Sequence, residues 1–128
     1  MKVSDILRVK GGTLYTVSPE QPLAEALQTM AGRDIGSLVV MSHGELIGML
    51  TFREVINAIV ANGGSVGIVT IGTVMDDAPL TCTPETEIDE VRRMMLQRHA
   101  RYMPVMDRKI GCAAAAGATP AFPRSAPR

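Results

Sequence analysis

Tryptophan is absent from the 128 residues, and Phe and Tyr number only two each. An aromatic share of 3% argues against a platform on which nucleic-acid bases stack. Cysteine is nearly absent as well. Cys82 and Cys112 lack CxxC spacing and read as two free thiols of a reducing compartment rather than a disulfide framework. His43 and His99 stand apart from each other and from those cysteines, so no metal-ligating constellation is expected. No apolar run approaches the about 20 residues that a membrane span needs. The opening Met1-Lys2-Val3-Ser4-Asp5 lacks the basic-then-apolar order of a signal peptide, and we expect a cytoplasmic protein with no membrane contact. A net charge is lacking too. Thirteen basic and 13 acidic residues balance, which leaves no global field to recruit nucleic acid or an anionic surface. Finally, no nucleophile–base pair or carboxylate pair is placed for acid–base work, so we expect no enzyme and no required cofactor. The acidic residues Glu85, Glu87, Asp89 and Glu90 gather around a helix start, where the dipole alone accounts for them.

What the chain does have is internal repetition. Thr16-Val17-Ser18-Pro19-Glu20 recurs as Thr81-Cys82-Thr83-Pro84-Glu85. At the same offset Leu23 matches Ile88, Glu25 matches Glu90, Met30 matches Met95 and Arg33 matches Arg98. Leu38 to Met41 matches Met103 to Met106, and after a two-residue deletion Leu46-Ile47-Gly48 is echoed by Lys109-Ile110-Gly111.

Each copy predicts the same layout. A short strand precedes the Pro-Glu corner. A helix follows, with Leu23, Ala26, Leu27 and Met30 on one stripe of the first copy, and Ile88, Val91 and Met95 on that of the second. The methionines read as core packing. Ser37 to Met41 and Glu45 to Leu50 predict a hairpin turning at Ser42-His43-Gly44. Arg53 to Ala61 predicts a helix carrying Val55, Ile56 and Ile59, stopped by Asn62-Gly63-Gly64. The expected fold is α/β (α+β), two repeats of order β-α-β-β-α, over 1–65 (complete) and 66–111 (truncated). After Gly111 the pattern fails. Residues 112–128 are rich in Ala, Pro and Arg, and we expect a low-complexity, disordered tail with the last strand and helix of the second repeat missing. Such a switch suits an out-of-frame product of a GC-rich gene as well as a genuine tail.

These residues resemble the CBS domain family, named for cystathionine β-synthase. The likeness rests on Tyr15 to Pro19, Asp34 to Val40 and Gly48 to Glu54 in the first copy, and on Arg101 to Asp107 in the second. Each motif is short, and two copies in register make the match specific. The resemblance implies two repeats packed pseudo-symmetrically as a Bateman module, with clefts between the repeats that take adenosine-containing ligands. It implies a regulatory role and assembly into dimers or larger oligomers. With no output domain in the chain, regulation would act in trans on an unknown partner protein.

By the same resemblance, Gly48-Met49-Leu50-Thr51-Phe52-Arg53-Glu54 stands at the family's Gly-x-x-Ser/Thr-x-x-Asp ligand motif. There the carboxylate meets ribose hydroxyls, while the hydroxyl and the helix N–H groups meet phosphate. Glu54 departs from the usual Asp. The ligand, AMP, NAD or ATP, would also touch Gly36, Ser37 and Met49 of the first copy and Ala100, Arg101, Tyr102 and Met103 of the second. Arg53 and Arg101 would favour phosphate. The same letters, Thr51-x-x-Glu54, equally spell a helix capping box. A second cleft would draw on Lys10, Gly11, Tyr15 and Ile35. Its partner positions offer only Ala114 and Gly117, so we expect at most one competent site per chain. Two other readings stay open: a homodimerising scaffold with vestigial sites, and nucleic-acid binding, which the balanced charge and few aromatics disfavour.

Overall fold

The computed structural model describes residues 1–10, 14–107 and 111–117. Its elements run α1 (Val3–Lys10), β1 (Thr16–Val17), α2 (Leu23–Arg33), β2 (Ser37–Ser42), β3 (Glu45–Thr51), α3 (Phe52–Ala61), α4 (Ile71–Val74), α5 (Ile88–Arg98), β4 (Tyr102–Asp107) and β5 (Gly111–Gly117). They form two compact units that do not coincide with the two sequence repeats. One is continuous, Tyr15–Pro79; the other is split, Met1–Leu14 together with Leu80–Arg128.

In the continuous unit, β1 pairs parallel with β2, and β2 pairs antiparallel with β3. The hairpin turns on His43 (φ 53) and Gly44 (φ 79), the two positive-φ positions that a two-residue hairpin loop requires. Leu38, Val39 and Val40 are buried in succession, as expected of a strand covered on both faces. Leu23, Ala26 and Met30 of α2 and Val55 and Ala58 of α3 close the core around them. Ile56, one of the apolar residues of that helix, lies on its exposed face.

The edge of β3 is occupied by backbone from beyond α4. Met49 and Asp76 exchange both backbone hydrogen bonds at 2.9 Å. Gly48 makes this approach possible. A Cβ there would lie 2.6 Å from Met75 Sδ and 2.8 Å from the Asp76 carbonyl oxygen.

The split unit repeats the plan. Val91 and Met95 of α5 pack with Met103 and Val105 of β4, while Cys82 makes an isolated parallel bridge to Val105 in place of the expected short strand. Beside β4 the expectation of a missing last strand is corrected. Gly111–Gly117 forms β5, antiparallel to β4, with a register shift between Val105 and Met106 like that between Val40 and Met41. A ladder needs only backbone donors and acceptors, so an alanine run can complete a hairpin that its side chains do not announce. The expected tail therefore begins no earlier than residue 118, and residues 118–128 lie outside the described residues.

Each unit is completed by a segment that precedes the other unit's repeat in sequence. Val3 N–H donates to Thr86 O (2.9 Å), Ser4 N–H to Pro84 O (2.8 Å), and Ile88 N–H to Met1 O (2.9 Å). In the continuous unit Ile71 N–H donates to Gln21 O (2.9 Å), Gly72 N–H to Pro19 O (2.9 Å), and Leu23 N–H to Val69 O (2.9 Å). Each partner in the first set stands 65 or 68 positions from its counterpart in the second. The leading segments also deliver a buried side chain each, Val3 (2% exposed) and Ile71 (0%).

Two predictions follow from this packing. Gly48→Ala should lower stability by about 1–3 kcal/mol in urea unfolding, because the clash falls partly on backbone. Burial pushes the Cys82 thiol from 9.0 up to about 11. The fold thus favours the neutral thiol, and its contribution, complete below pH 9, is lost as pH rises from 9 to 11. The slope should be roughly 1 kcal/mol per pH unit, read as the difference from Cys82→Ala.

Candidate functional site

Strand β3 leads directly into α3, and Thr51 caps the junction. Its backbone is extended (φ −126, ψ 176), and its side chain accepts a hydrogen bond from Arg53 N–H at 3.2 Å. Glu54 folds back. Its Oε1 accepts from Thr51 N–H at 2.8 Å and from the Thr51 hydroxyl at 2.6 Å. The capping box is complete, with the Glu54 backbone N–H also held by the Thr51 side chain.

This geometry changes how the two readings of the motif compete. The Thr51 hydroxyl donates to Glu54 and accepts from the first turn, so it has no proton left for a ligand phosphate. Glu54 is not consumed in the same way. Both bonds end on one carboxylate oxygen, Oε1, and Oε2 takes part in neither. A carboxylate accepts up to about four hydrogen bonds. The cap can therefore stand while Oε2 faces a second donor.

The remaining expected site residues fall in two groups. Gly36 and Ser37 belong to the continuous unit, where Ser37 sits opposite Thr51 in the β2–β3 ladder. Both are half-buried, as are Thr51 and Glu54, while Arg53 is exposed. Met49 is buried. In the split unit, α5 ends at His99 in the left-handed conformation (φ 52), and Ala100 N–H closes on Met95 O at 2.9 Å. Arg101 is then exposed, Tyr102 half-buried and Met103 fully buried in that unit's core.

For the expected second cleft, Tyr15 and Ile35 pack against the continuous unit's core. The Arg33 guanidinium lies 5.2 Å above the Tyr15 ring, a cation–π contact that the sequence reading missed. Lys10 ends α1, and Gly11 lies outside the described residues. The partner positions need correction. Ladder register sets Gly117 opposite Tyr102, as Thr51 is set opposite Ser37, and Ala114 opposite Val105, as Gly48 is opposite Val40. Gly117, not Ala114, thus stands in the place of Thr51. The inter-strand turn is one residue longer in the second repeat, not two shorter. Glycine, like alanine, has no hydroxyl.

Sequence reading also missed Asp76, whose backbone lines the β3 edge beside Met49 and whose Oδ1 accepts from Ala78 N–H at 3.0 Å. No periodicity or motif marks it, because its placement depends on Gly48 across the edge. Among the described residues no group of three His, Cys, Asp or Glu side chains gathers for a metal, and no helix is long and apolar enough to cross a membrane.

The cap is separable by mutation. Glu54→Ala should cost about 1 kcal/mol of stability in urea unfolding, whereas Glu54→Gln, which can still accept from Thr51, should cost a few tenths.

Comparison with known proteins places this architecture. The family described as CBS domain matches residues 3–61 and 71–110. The chain is 28% identical over 116 residues to the mitochondrial CBS domain-containing protein CBSX3 of Arabidopsis thaliana, covering 84% of this chain and 56% of that one. It is 30% identical over 92 residues to the CBS domain-containing protein YhcV of Bacillus subtilis, covering 72% and 65%. The match thus spans less than two thirds of the length of either relative. Among solved structures, the CBS domain pair of protein MJ0100, in complex with 5-methylthioadenosine and S-adenosyl-L-methionine, superposes with a TM-score of 0.81 at 21% identity, covering 94% of this chain and 95% of that one. Two matched repeats, in a fold shared with solved CBS pairs, establish that this chain belongs to the CBS domain family.

Proposed function

We propose that the protein is a regulatory module that binds an adenosine-containing ligand and acts in trans on a partner protein. The observation that carries this reading is the Gly48-to-Glu54 motif at the N-terminus of α3, with one carboxylate oxygen of Glu54 outside the cap. The printed ligands of the MJ0100 domain pair, both adenosine derivatives, support it. In this reading Glu54 Oε2 accepts from a ribose hydroxyl, and Thr51 acts by holding Glu54 in place. Arg53 faces a phosphate where the ligand has one, which would suit AMP, NAD or ATP. Gly36, Ser37 and Met49 of the continuous unit are proposed to contact the same ligand. Only the first repeat's motif is proposed to serve, since Gly117 supplies no side chain at the place of Thr51.

A melting-temperature screen with adenosine, AMP, ATP, NAD and S-adenosylmethionine at 1 mM tests the reading. A native-state ligand present at 100 times its Kd stabilises by about 2.7 kcal/mol. Calorimetric titration of the binder should give one site per chain. Glu54→Gln should weaken binding at least tenfold while leaving the unliganded stability nearly unchanged, a combination that a purely structural Glu54 would not produce. Binding of none of the five, or two sites per chain, would refute the proposal.

A second reading, self-assembly, is favoured by a separate observation. Phe52, Ile56 and Val60 recur every four residues along α3 and are 52%, 57% and 73% exposed. Such a stripe faces water at a cost unless another surface covers it.

A further inference from the structure

The chain holds two asparagines, Asn57 and Asn62, and only Asn62 is followed by glycine. Asn62 is the C-cap of α3, and Gly63 turns left-handed behind it (φ 73). Gly64 N–H returns to Ile59 O at 2.8 Å and Gly63 N–H to Val60 O at 3.3 Å, the two bonds of a Schellman turn. The Asn62 side chain ties down the segment beyond. Its Nδ2 donates to Ser65 O at 3.1 Å and to Ser65 Oγ at 3.2 Å. Gly67 (φ 71) packs against the same amide, where a Cβ would overlap Nδ2. The turn thereby steers the segment that completes the continuous unit: Val66 and Val69 pack against its core, Leu23 N–H donates to Val69 O, and Ile71 is fully buried.

The same residues can react with each other. Once it loses its proton, the Gly63 nitrogen can attack Asn62 Cγ, and glycine hinders this least because it has no Cβ. The N–Cγ bond forms, the Cγ–Nδ2 bond breaks, and ammonia leaves with the proton that Gly63 gave up. Water then opens the cyclic imide. Addition at Cγ gives Asp, and addition at the main-chain carbonyl gives isoaspartate, so one water enters for each ammonia lost. In the closed turn neither partner is free, since Gly63 N–H is bonded to Val60 O and Nδ2 is held by Ser65. Both residues are exposed, so a local opening releases them. Asn57 precedes Ala58 inside α3, where the following N–H is committed to the helix ladder.

We infer that Asn62 is a deamidation site, shielded while the turn at the end of α3 is closed, and that its conversion releases the segment that follows. The inference is independent of any ligand. Asp at this place cannot donate to Ser65 O, and it sets a negative charge at the helix end that favours cations. It also joins a unit that is already acidic. As sequence repeats, residues 1–65 carry five basic and six acidic side chains and residues 66–128 carry eight and seven, so the halves are nearly neutral at −1 and +1. The exchanged leading segments leave the continuous unit with two basic against seven acidic side chains, −5, and the split unit with eleven against six, +5. Isoaspartate acts on the backbone as well. It inserts one carbon into the main chain between the cap and Gly63, which carries Gly64 N–H out of register with Ile59 O.

Peptide mass spectrometry on the full chain, aged at about pH 8 and 37 °C with and without urea and fragmented so as to tell Asp from isoaspartate, tests the site. Conversion should occur at Asn62 and not at Asn57, and at least about tenfold faster in urea than in the folded protein. Ser65→Ala, which removes one acceptor of the amide, should raise the rate in the folded protein at least about twofold and leave the rate in urea unchanged. Asn62→Asp should lower the Tm by about 4 °C or more and speed hydrogen exchange at the Gly64 and Leu23 amides at least about tenfold, with circular dichroism confirming the fold. Equal rates with and without urea, or no conversion at Asn62 in urea, would overturn the shielded site. Unchanged exchange at both amides in Asn62→Asp would overturn the release of the segment.

Discussion

Everything in this protein hangs on a backbone exchange made twice. A segment leading into one repeat donates two N–H groups to the Pro-Glu corner of the opposite repeat and accepts one bond from the first residue of its helix. Val3 and Ile71 enter the two cores at these points. Burying such a side chain is worth about 1.5–3 kcal/mol, and the backbone bonds fix where it enters. Neither repeat encloses its core with its own leading segment. Tandem duplication is thus a structural requirement here, because each copy supplies what the other lacks.

The junction between β3 and α3 is a helix end closed by its own side chains. A capping box and a ligand motif need the same residue types, a hydroxyl followed three positions later by a carboxylate. Geometry separates the roles by atom. Oε1 of Glu54 closes the cap, and Oε2 is outside it. The extra methylene of Glu relative to Asp allows this fold-back while leaving the carboxylate at the unit's surface. Thr51 thereby holds the Glu54 side chain against the first turn of α3. Gly48, at the other end of the motif, serves the fold: its missing side chain admits Met75 and Asp76 to the strand edge.

Much of this was legible beforehand. The spacing of Leu23, Ala26 and Met30 and of Ile88, Val91 and Met95 identified the buried helix faces, because a 3.6-residue period records which side meets the core. The His43-Gly44 turn was legible for a similar local reason. Strand β5 was not, since alanines carry no alternation and their pairing is imposed by β4 alongside. The register of Gly117 followed from that pairing and could not be counted along the chain. That Ile56 is exposed was not legible either, because an apolar residue on a helix does not by itself say whether its own unit buries it.

The sequence by itself determined that there are two related repeats, where α2, α3, α5 and the first hairpin lie, and which motif stands at a helix start. These are properties of neighbours within a few residues or of one copy compared with the other. Tertiary structure alone decided which leading segment completes which core, and with it the charge of each unit. A chain that is neutral overall, and nearly neutral in each repeat, becomes two oppositely charged bodies because 14 residues at each leading end are held by hydrogen bonds and burial to the other repeat. No local pattern encodes that exchange. It arises from the fit of Val3 and Ile71 into cores assembled from residues far away in the chain.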